Sequence, residues 1–349
     1  MKYSVIVPVF NRPDEVSELL ESLARQRVSE GTQLEVLIVE DGSQTTCGQV
    51  VKAYERKLDV RYFLKENSGP GPSRNYGAAR ATGDYLLILD SDVVVPEGWL
   101  EAIDGSLREQ PCDAFGGPDA AGETFTDVQK AISYSMTSFF TTGGIRGGKG
   151  KKLDKFYPRS FNMGVRREVY NAVGGFSKMR FGEDIDLSYR LVEGGYSTRL
   201  IPEAWVWHKR RTDFDKFFRQ VYNSGIARIH LSLRHPGTLK IVHLLPAAFV
   251  VGVTLLVVLA VVLRLLATKE DSPVAPWAWT VPLAPFVLYM LLIFLDATCR
   301  GRSAVVGFLS MKAAFIQLFG YGLGFISAWW RRCVRGGGEF AAYEKNFYD

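Results

Sequence analysis

Cysteine is scarce and carries no pattern. The four in this 349-residue chain, Cys47, Cys112, Cys299 and Cys333, show neither a C-x-x-C nor a histidine-paired spacing, so nothing points to a disulfide framework or a zinc site. A cleavable leader is not expected. The first apolar run, Val5 to Phe10, is short, contains Pro8 and leads into a helix start, and the first domain is therefore expected to stay in the cytosol. The loop Asn67-Ser68-Gly69-Pro70-Gly71-Pro72 lacks the third glycine of the dinucleotide fingerprint and is not a P-loop either. Charge is absent from two long stretches, Leu244–Leu263 and Pro273–Leu295. Each is long enough to cross the hydrocarbon layer.

The chain is organised around Tyr85–Trp99, YLLILDSDVVVPEGW. Its apolar start reads as a strand buried on both faces, and it ends in Asp90-Ser91-Asp92. Carboxylates at i and i+2 project to the same side of an extended backbone, where they can hold one hard cation, or they can simply form a solvated turn. Mg2+ and Mn2+ suit such a pair, because they take few protein carboxylates and complete their shell with water and phosphate oxygens. Ligands of open α/β sheets also collect at the carboxyl ends of strands.

Two strands precede this one. Tyr3–Val9 runs into a helix start at Asn11-Arg12-Pro13, and Leu34–Val39 closes on Glu40-Asp41-Gly42-Ser43, an order that implies a parallel pair. Asp41 either meets a nucleotide base or starts its Asp-Gly turn. After Gly69, a helix beginning at Ser73 could present backbone N–H groups and Arg74 to a phosphate, or the loop only turns the chain. Glu183, Asp184 and Asp186 enter another helix. Acids there are favoured by the macrodipole whatever their job, yet three exceed what a cap needs. His208 begins a basic tract with Lys209, Arg210 and Arg211, and Arg146, Lys149, Lys151, Lys152 and Lys155 form a second cluster in a glycine-rich loop suited to a flap over an anion. The net charge is only +5, and clusters beside apolar spans meet anionic lipid or phosphate more often than nucleic acid.

Taken in order, VIVPVFNRPDEVSELLESL, EVLIVEDGS, NSGPGPSRNYGAARATGDYLLILDSDV, FNMGVRREVYNAVGGF and FGEDIDLSYRLVEGGYSTRLIPEAWVWHKRR resemble family 2 glycosyltransferases of the GT-A fold, over roughly residues 3 to 211. The resemblance implies an α/β domain with a mostly parallel, Rossmann-like sheet, followed here by C-terminal transmembrane helices. It implies that Pro8 and Asp41 frame the nucleoside, that Arg74, Asn75, Asp90 and Ser91 approach the nucleotide-sugar, and that Asp90, Asp92 and His208 hold Mg2+ or Mn2+. Glu183 and Asp184 fall on the catalytic pair, with Asp184 as base. The expected reaction inverts the anomeric carbon.

The Q-x-x-R-W motif of processive synthases is missing, since Gln220 is followed by Val-Tyr-Asn, so one sugar per encounter is expected. The expected layout is a transferase domain over 1–211, an amphipathic interface helix and linker over 212–242, spans near 244–263, 273–295 and 304–330, and a tail from 331. The third span is the least regular, holding Lys312 and Gln317 and ending in Arg331-Arg332. Length favours crossing and charge opposes it, and the balance leans slightly to crossing. The expected partners are a nucleotide-diphosphate sugar, a lipid-linked acceptor and membrane lipids, with no nucleic acid, at the cytoplasmic face of the inner membrane. A polyprenyl-phosphate glycosyl synthase and a non-catalytic nucleotide-binding scaffold are the alternatives. The intact Glu183-Asp184 weighs against the first and the acids at 90, 92 and 184 against the second.

Overall fold

The computed structural model describes residues 1–120, 125–142, 156–208, 213–269 and 273–340. The basic loop from Arg146 to Lys155, the cations at 209–211 and the tail from 341 lie outside the described residues. The elements run, in chain order, as β1 (Lys2–Val9), α1 (Pro13–Ala24), β2 (Gln33–Asp41), α2 (Gly48–Tyr54), β3 (Asp59–Lys65), α3 (Pro70–Ala78), β4 (Tyr85–Leu89), β5 (Val93–Val94), α4 (Trp99–Glu109), β6 (Ala114–Gly116) and β7 (Asp119–Ala120). Then come α5 (Asp127–Thr137), α6 (Phe139–Thr142), β8 (Asn162–Arg166), α7 (Arg167–Ala172), α8 (Glu183–Glu193), β9 (Thr198–Leu200), β10 (Val206–His208), α9 (Phe214–Arg234), α10 (Leu245–Ala267), α11 (Ala284–Gly301) and α12 (Ala304–Trp329). They fall into two compact units, one of residues 1–122, 152–209 and 340–349 and one of residues 123–151 and 210–339.

The first unit is built on a seven-stranded sheet of order β3-β2-β1-β4-β8-β6-β9. The first four strands are parallel, whereas β8 pairs antiparallel with both β4 and β6. Along β1 and β4 the pleat sends Val5, Val7, Leu87 and Leu89 into one core and Ile6, Leu86 and Ile88 into the other. Both faces are covered, which is why these strands read as continuous apolar runs rather than as alternation. A second sheet, β5-β10-β7, is short, and its register sets His208 opposite Val93. That pairing brings a histidine from late in the chain beside the residue after Asp92.

The second unit is helical. Residues 127–137, for which the sequence suggested no element, form α5, opened by a capping box between Thr126 and Gln129. Ala131, Ile132 and Met136 of α5 pack with Phe217 and Val221 of α9 and Ala313 of α12, so this segment is held by apolar burial in the second unit. Tyr134 donates to Asp296 of α11 at 2.6 Å. Three helices, Leu245–Ala267, Ala278–Gly301 and Ala304–Val334, are long and apolar enough to cross a membrane.

Candidate active site

Two acidic groups and a histidine meet beyond the carboxyl end of β4. The strand stops at Leu89, and the turn Asp90-Ser91-Asp92 leads into β5 with Ser91 and Asp92 buried. One ligand atom from each of Asp90, Asp92 and His208 lies within 4.8 Å of the others. His208 Nε2 is 3.3 Å from Asp92 Oδ1, and its ring stacks on Phe161 with centroids 5.2 Å apart. Two carboxylates suit a hard divalent cation, and the imidazole tilts the set from Mg2+ toward Mn2+. The donor set therefore fits the expected metal.

Arg74 ties this group to the acids of α8. Its guanidinium donates through Nη2 to Asp90 Oδ1 at 2.8 Å and through Nη1 to Glu183 Oε1 at 2.9 Å. The residue is only 3 % exposed. Burial alone would disfavour its charge, but Asp90 and Glu183 more than offset this and hold it firmly protonated.

Helix α8 is preceded by Gly182, whose φ of +84° is the left-handed conformation that glycine adopts without steric cost. That turn sets Glu183 and Asp184 at the helix N-terminus. Asp184 accepts from Arg159 Nε at 2.7 Å on Oδ2 and from the Ile185 N–H at 2.9 Å on Oδ1. Burial raises the Asp184 carboxyl, yet the Arg159 guanidinium outweighs it and leaves the group below the usual carboxylate range. Glu183 goes the other way. Burial pushes it up, Arg74 pulls it down, the adjacent Asp184 pushes it up again, and the net direction is upward. The two neighbouring acids are thus shifted in opposite directions.

The third acid belongs to the fold. Asp186 is 2 % exposed and receives Arg190 Nε at 2.9 Å, and Arg190 in turn donates to the carbonyls of Val173 and Gly175.

The other candidates occupy supporting places. Pro8 faces Val39 near the carboxyl ends of β1 and β2. Asp41 is fully buried and accepts from Lys65 Nζ at 2.5 Å, the Ser68 N–H at 2.9 Å and the Gly69 N–H at 2.7 Å, which fixes the loop before α3. Asn75 accepts from Tyr170 Oη at 2.6 Å and the Phe176 N–H at 2.9 Å, and donates to the Phe176 carbonyl at 2.8 Å. Its amide joins α3 to the turn after α7.

Arg12, Arg159 and Phe161 were not marked by sequence. Arg12 Nη1 donates to Asp92 Oδ2 at 2.9 Å. Arg12 is the residue before α1, and Arg159 and Phe161 come just before β8; only the folded chain shows which acid or ring each faces.

Comparisons with known proteins bear on the family and the fold. The family model described as glycosyl transferase family 2 matches residues 4–174. A pre-mycofactocin glycosyltransferase of Mycobacterium tuberculosis (strain ATCC 25618 / H37Rv) is 31 % identical over 238 residues, covering 67 % of this chain and 48 % of its own. This chain thus spans about half the length of that relative. Glycosyltransferase AglE of Haloferax volcanii is 24 % identical over 252 residues, covering 71 % of this chain and 80 % of its own. Among solved structures, a mannosyltransferase from Pyrobaculum calidifontis in complex with GDP-Man and Mn2+ superposes with a TM-score of 0.58 at 16 % identity, over 93 % of this chain and 86 % of that one. It shares the fold.

Proposed function

Residues 4–174 form a family 2 glycosyl transferase domain of the GT-A fold, and from that premise we propose that the chain is an inverting, non-processive glycosyltransferase that moves one sugar from a nucleotide-diphosphate sugar to a lipid-linked saccharide. The observation that carries the reading is the single guanidinium of Arg74 joining Asp90, in the Asp90-Asp92-His208 cluster, to Glu183, the neighbour of Asp184. It holds the place for a leaving diphosphate and the place for a base in one rigid frame.

The acceptor hydroxyl oxygen forms a bond to the anomeric carbon while the bond from that carbon to the diphosphate oxygen breaks. Asp184 takes the hydroxyl proton, and the nucleoside diphosphate leaves with the bonding pair. Approach opposite the leaving group inverts the centre, so an NDP-α-sugar gives a β-linkage, or the reverse in an L-sugar series. A divalent cation, Mg2+ or Mn2+, bound by Asp90, Asp92 and His208 would neutralise the departing diphosphate. Glu183 orients Arg74, and Arg74 holds Asp90 in place.

The lipid-linked acceptor is supported by the three apolar helices carried on the same chain. Tethering an enzyme to the surface that holds its acceptor raises their effective concentration. Nucleotide sugars are made in the cytosol, which sets the transferase unit at the cytoplasmic face of the inner membrane. The experiment is Asp184→Asn, assayed for nucleotide release with a panel of nucleotide-sugars and membrane extract. Turnover should collapse while donor affinity stays near wild type. A near-normal kcat removes Asp184 from the mechanism.

A further inference from the structure

Two arginines share the acids at the end of β4, and they differ in how firmly they are held. Arg74 is pinned by two carboxylates and its side chain is 4 % exposed, whereas Arg12, on Asp92 alone, is 35 % exposed. Arg12 stands at the start of α1, just past the carboxyl end of β1, which pairs in parallel with β4. It therefore reaches Asp92 from the neighbouring strand end. A guanidinium offers five N–H donors in a fork that matches phosphate oxygens, and Nη1 supplies the hydrogen bond to Asp92.

The charges explain why this matters. Asp90 and Asp92 carry two negative charges, and Arg74 and Arg12 each bring one positive charge to them. A divalent cation arriving alone must share Asp92 with Arg12. A diphosphate arriving with it gives the Arg12 fork a second anionic partner.

We propose that Arg12 is a diphosphate-binding residue that exchanges Asp92 for the donor's phosphates, so that divalent cation and diphosphate bind as a coupled pair. The inference deepens the transferase reading and rests on its metal cluster. Glu15 in the first turn of α1 also lies near enough to act on Arg12, and the exchange is a movement of the guanidinium with no change in its charge.

The test is Mn2+ binding to the full chain in detergent, followed by the loss of the free-ion signal in electron paramagnetic resonance, with and without inorganic pyrophosphate. Wild type, Arg12→Gln, Arg12→Lys and Asp92→Asn are compared. In R12Q, Mn2+ alone should bind about tenfold more tightly, and the gain in Mn2+ affinity given by pyrophosphate should shrink by a similar factor, a coupling of ordinary size. R12K, which keeps the charge, should follow wild type for Mn2+ alone. Unchanged Mn2+ affinity and unchanged coupling in R12Q, with D92N losing Mn2+, overturn the inference alone. Wild-type Mn2+ binding in D92N overturns the metal cluster and this inference together.

Discussion

Replacing Arg159 by Met isolates the guanidinium that faces the proposed base. In the native chain Arg159 Nε lies 2.7 Å from Asp184 Oδ2, with side-chain exposures of 41 % and 13 %. A hydrogen bond to a charged group contributes about 1.5–3 kcal/mol, and the exposure of Arg159 puts this one at about 1.5 kcal/mol. The interaction favours the ionised carboxylate over the protonated one, so its removal costs turnover wherever it leaves Asp184 protonated. The loss should depend on pH, because the charged groups left facing Asp184 are Arg74, which favours its ionised form, and Glu183, which opposes it. With Arg159 present the carboxyl sits below its ordinary range and stays ionised down into acid. Without it, burial raises the group, protonation starts at higher pH, and the acid limb of kcat moves upward. The same pair supports folding above the unfolded carboxyl range, and that support is lost as pH falls through the folded value. The assay is nucleotide release across pH with saturating acceptor, beside acceptor-independent donor hydrolysis as a control. Arg159→Lys should recover part of the shift. An acid limb in Arg159→Met that superimposes on wild type refutes the reasoning.

The same geometry carries other expectations. Asp92→Asn should abolish the metal-dependent part of donor binding, and equal calorimetric affinity with and without EDTA in wild type would sink the metal assignment. Gly324→Ala should lower the melting temperature in detergent, since a Cβ there collides with the Tyr222 carbonyl across the α9–α12 contact. Overpacking of this kind costs about 1–3 kcal/mol, and an unchanged melting curve contradicts the contact. A cysteine at Tyr348, in a background lacking the native four, should react with an impermeant maleimide only after cells are permeabilised. Labelling in intact cells would show that α12 crosses.

The fold was legible because its signals are local. Continuous apolar runs marked β1, β2 and β4, and the turn residues after each run marked where the strand stops. The cation cluster was legible in its acids, since Asp90 and Asp92 lie two residues apart on one strand end. His208 joins them only through β10 pairing with β5, across more than a hundred residues, and no periodicity carries that. The arginines were hidden for a related reason. A guanidinium on a long side chain is silent in sequence until a fold sets a carboxylate within its reach, as with Arg12 on Asp92 and Arg159 on Asp184. The excess of acids at α8 was visible, but which one is structural depended on Arg190 one turn later taking Asp186.

The third apolar helix shows how a partner changes the meaning of a segment. Composition lets α12 cross, and the sequence leans that way. In the structure α9 runs beside it in the same direction. Lys312 stands over the Phe214 ring at 4.6 Å, Gly320 meets Val221 and Phe218, Gly324 meets Tyr222, and Arg234 reaches Glu339 at 2.8 Å past the end of α12. Small residues allow this close approach of backbones. The face of α9 away from the core exposes Asp215, Lys216, Arg219 and Ser224. If α12 crossed, the packing would carry Arg219 and Arg228 of α9 into hydrocarbon, at about 2.5–3.5 kcal/mol for each charge. Laid in the headgroup plane, the pair keeps those charges in water and leaves Trp329 and Trp330, both exposed, where aromatic rings favour the interface. α12 also has 39 % of its apolar window buried by protein, against 11 % for α10 and 17 % for the segment containing α11. α5, α9, α10 and α11 all pack on α12, which accounts for that greater burial, and the charges of α9 are the ground for expecting the tail on the cytosolic side.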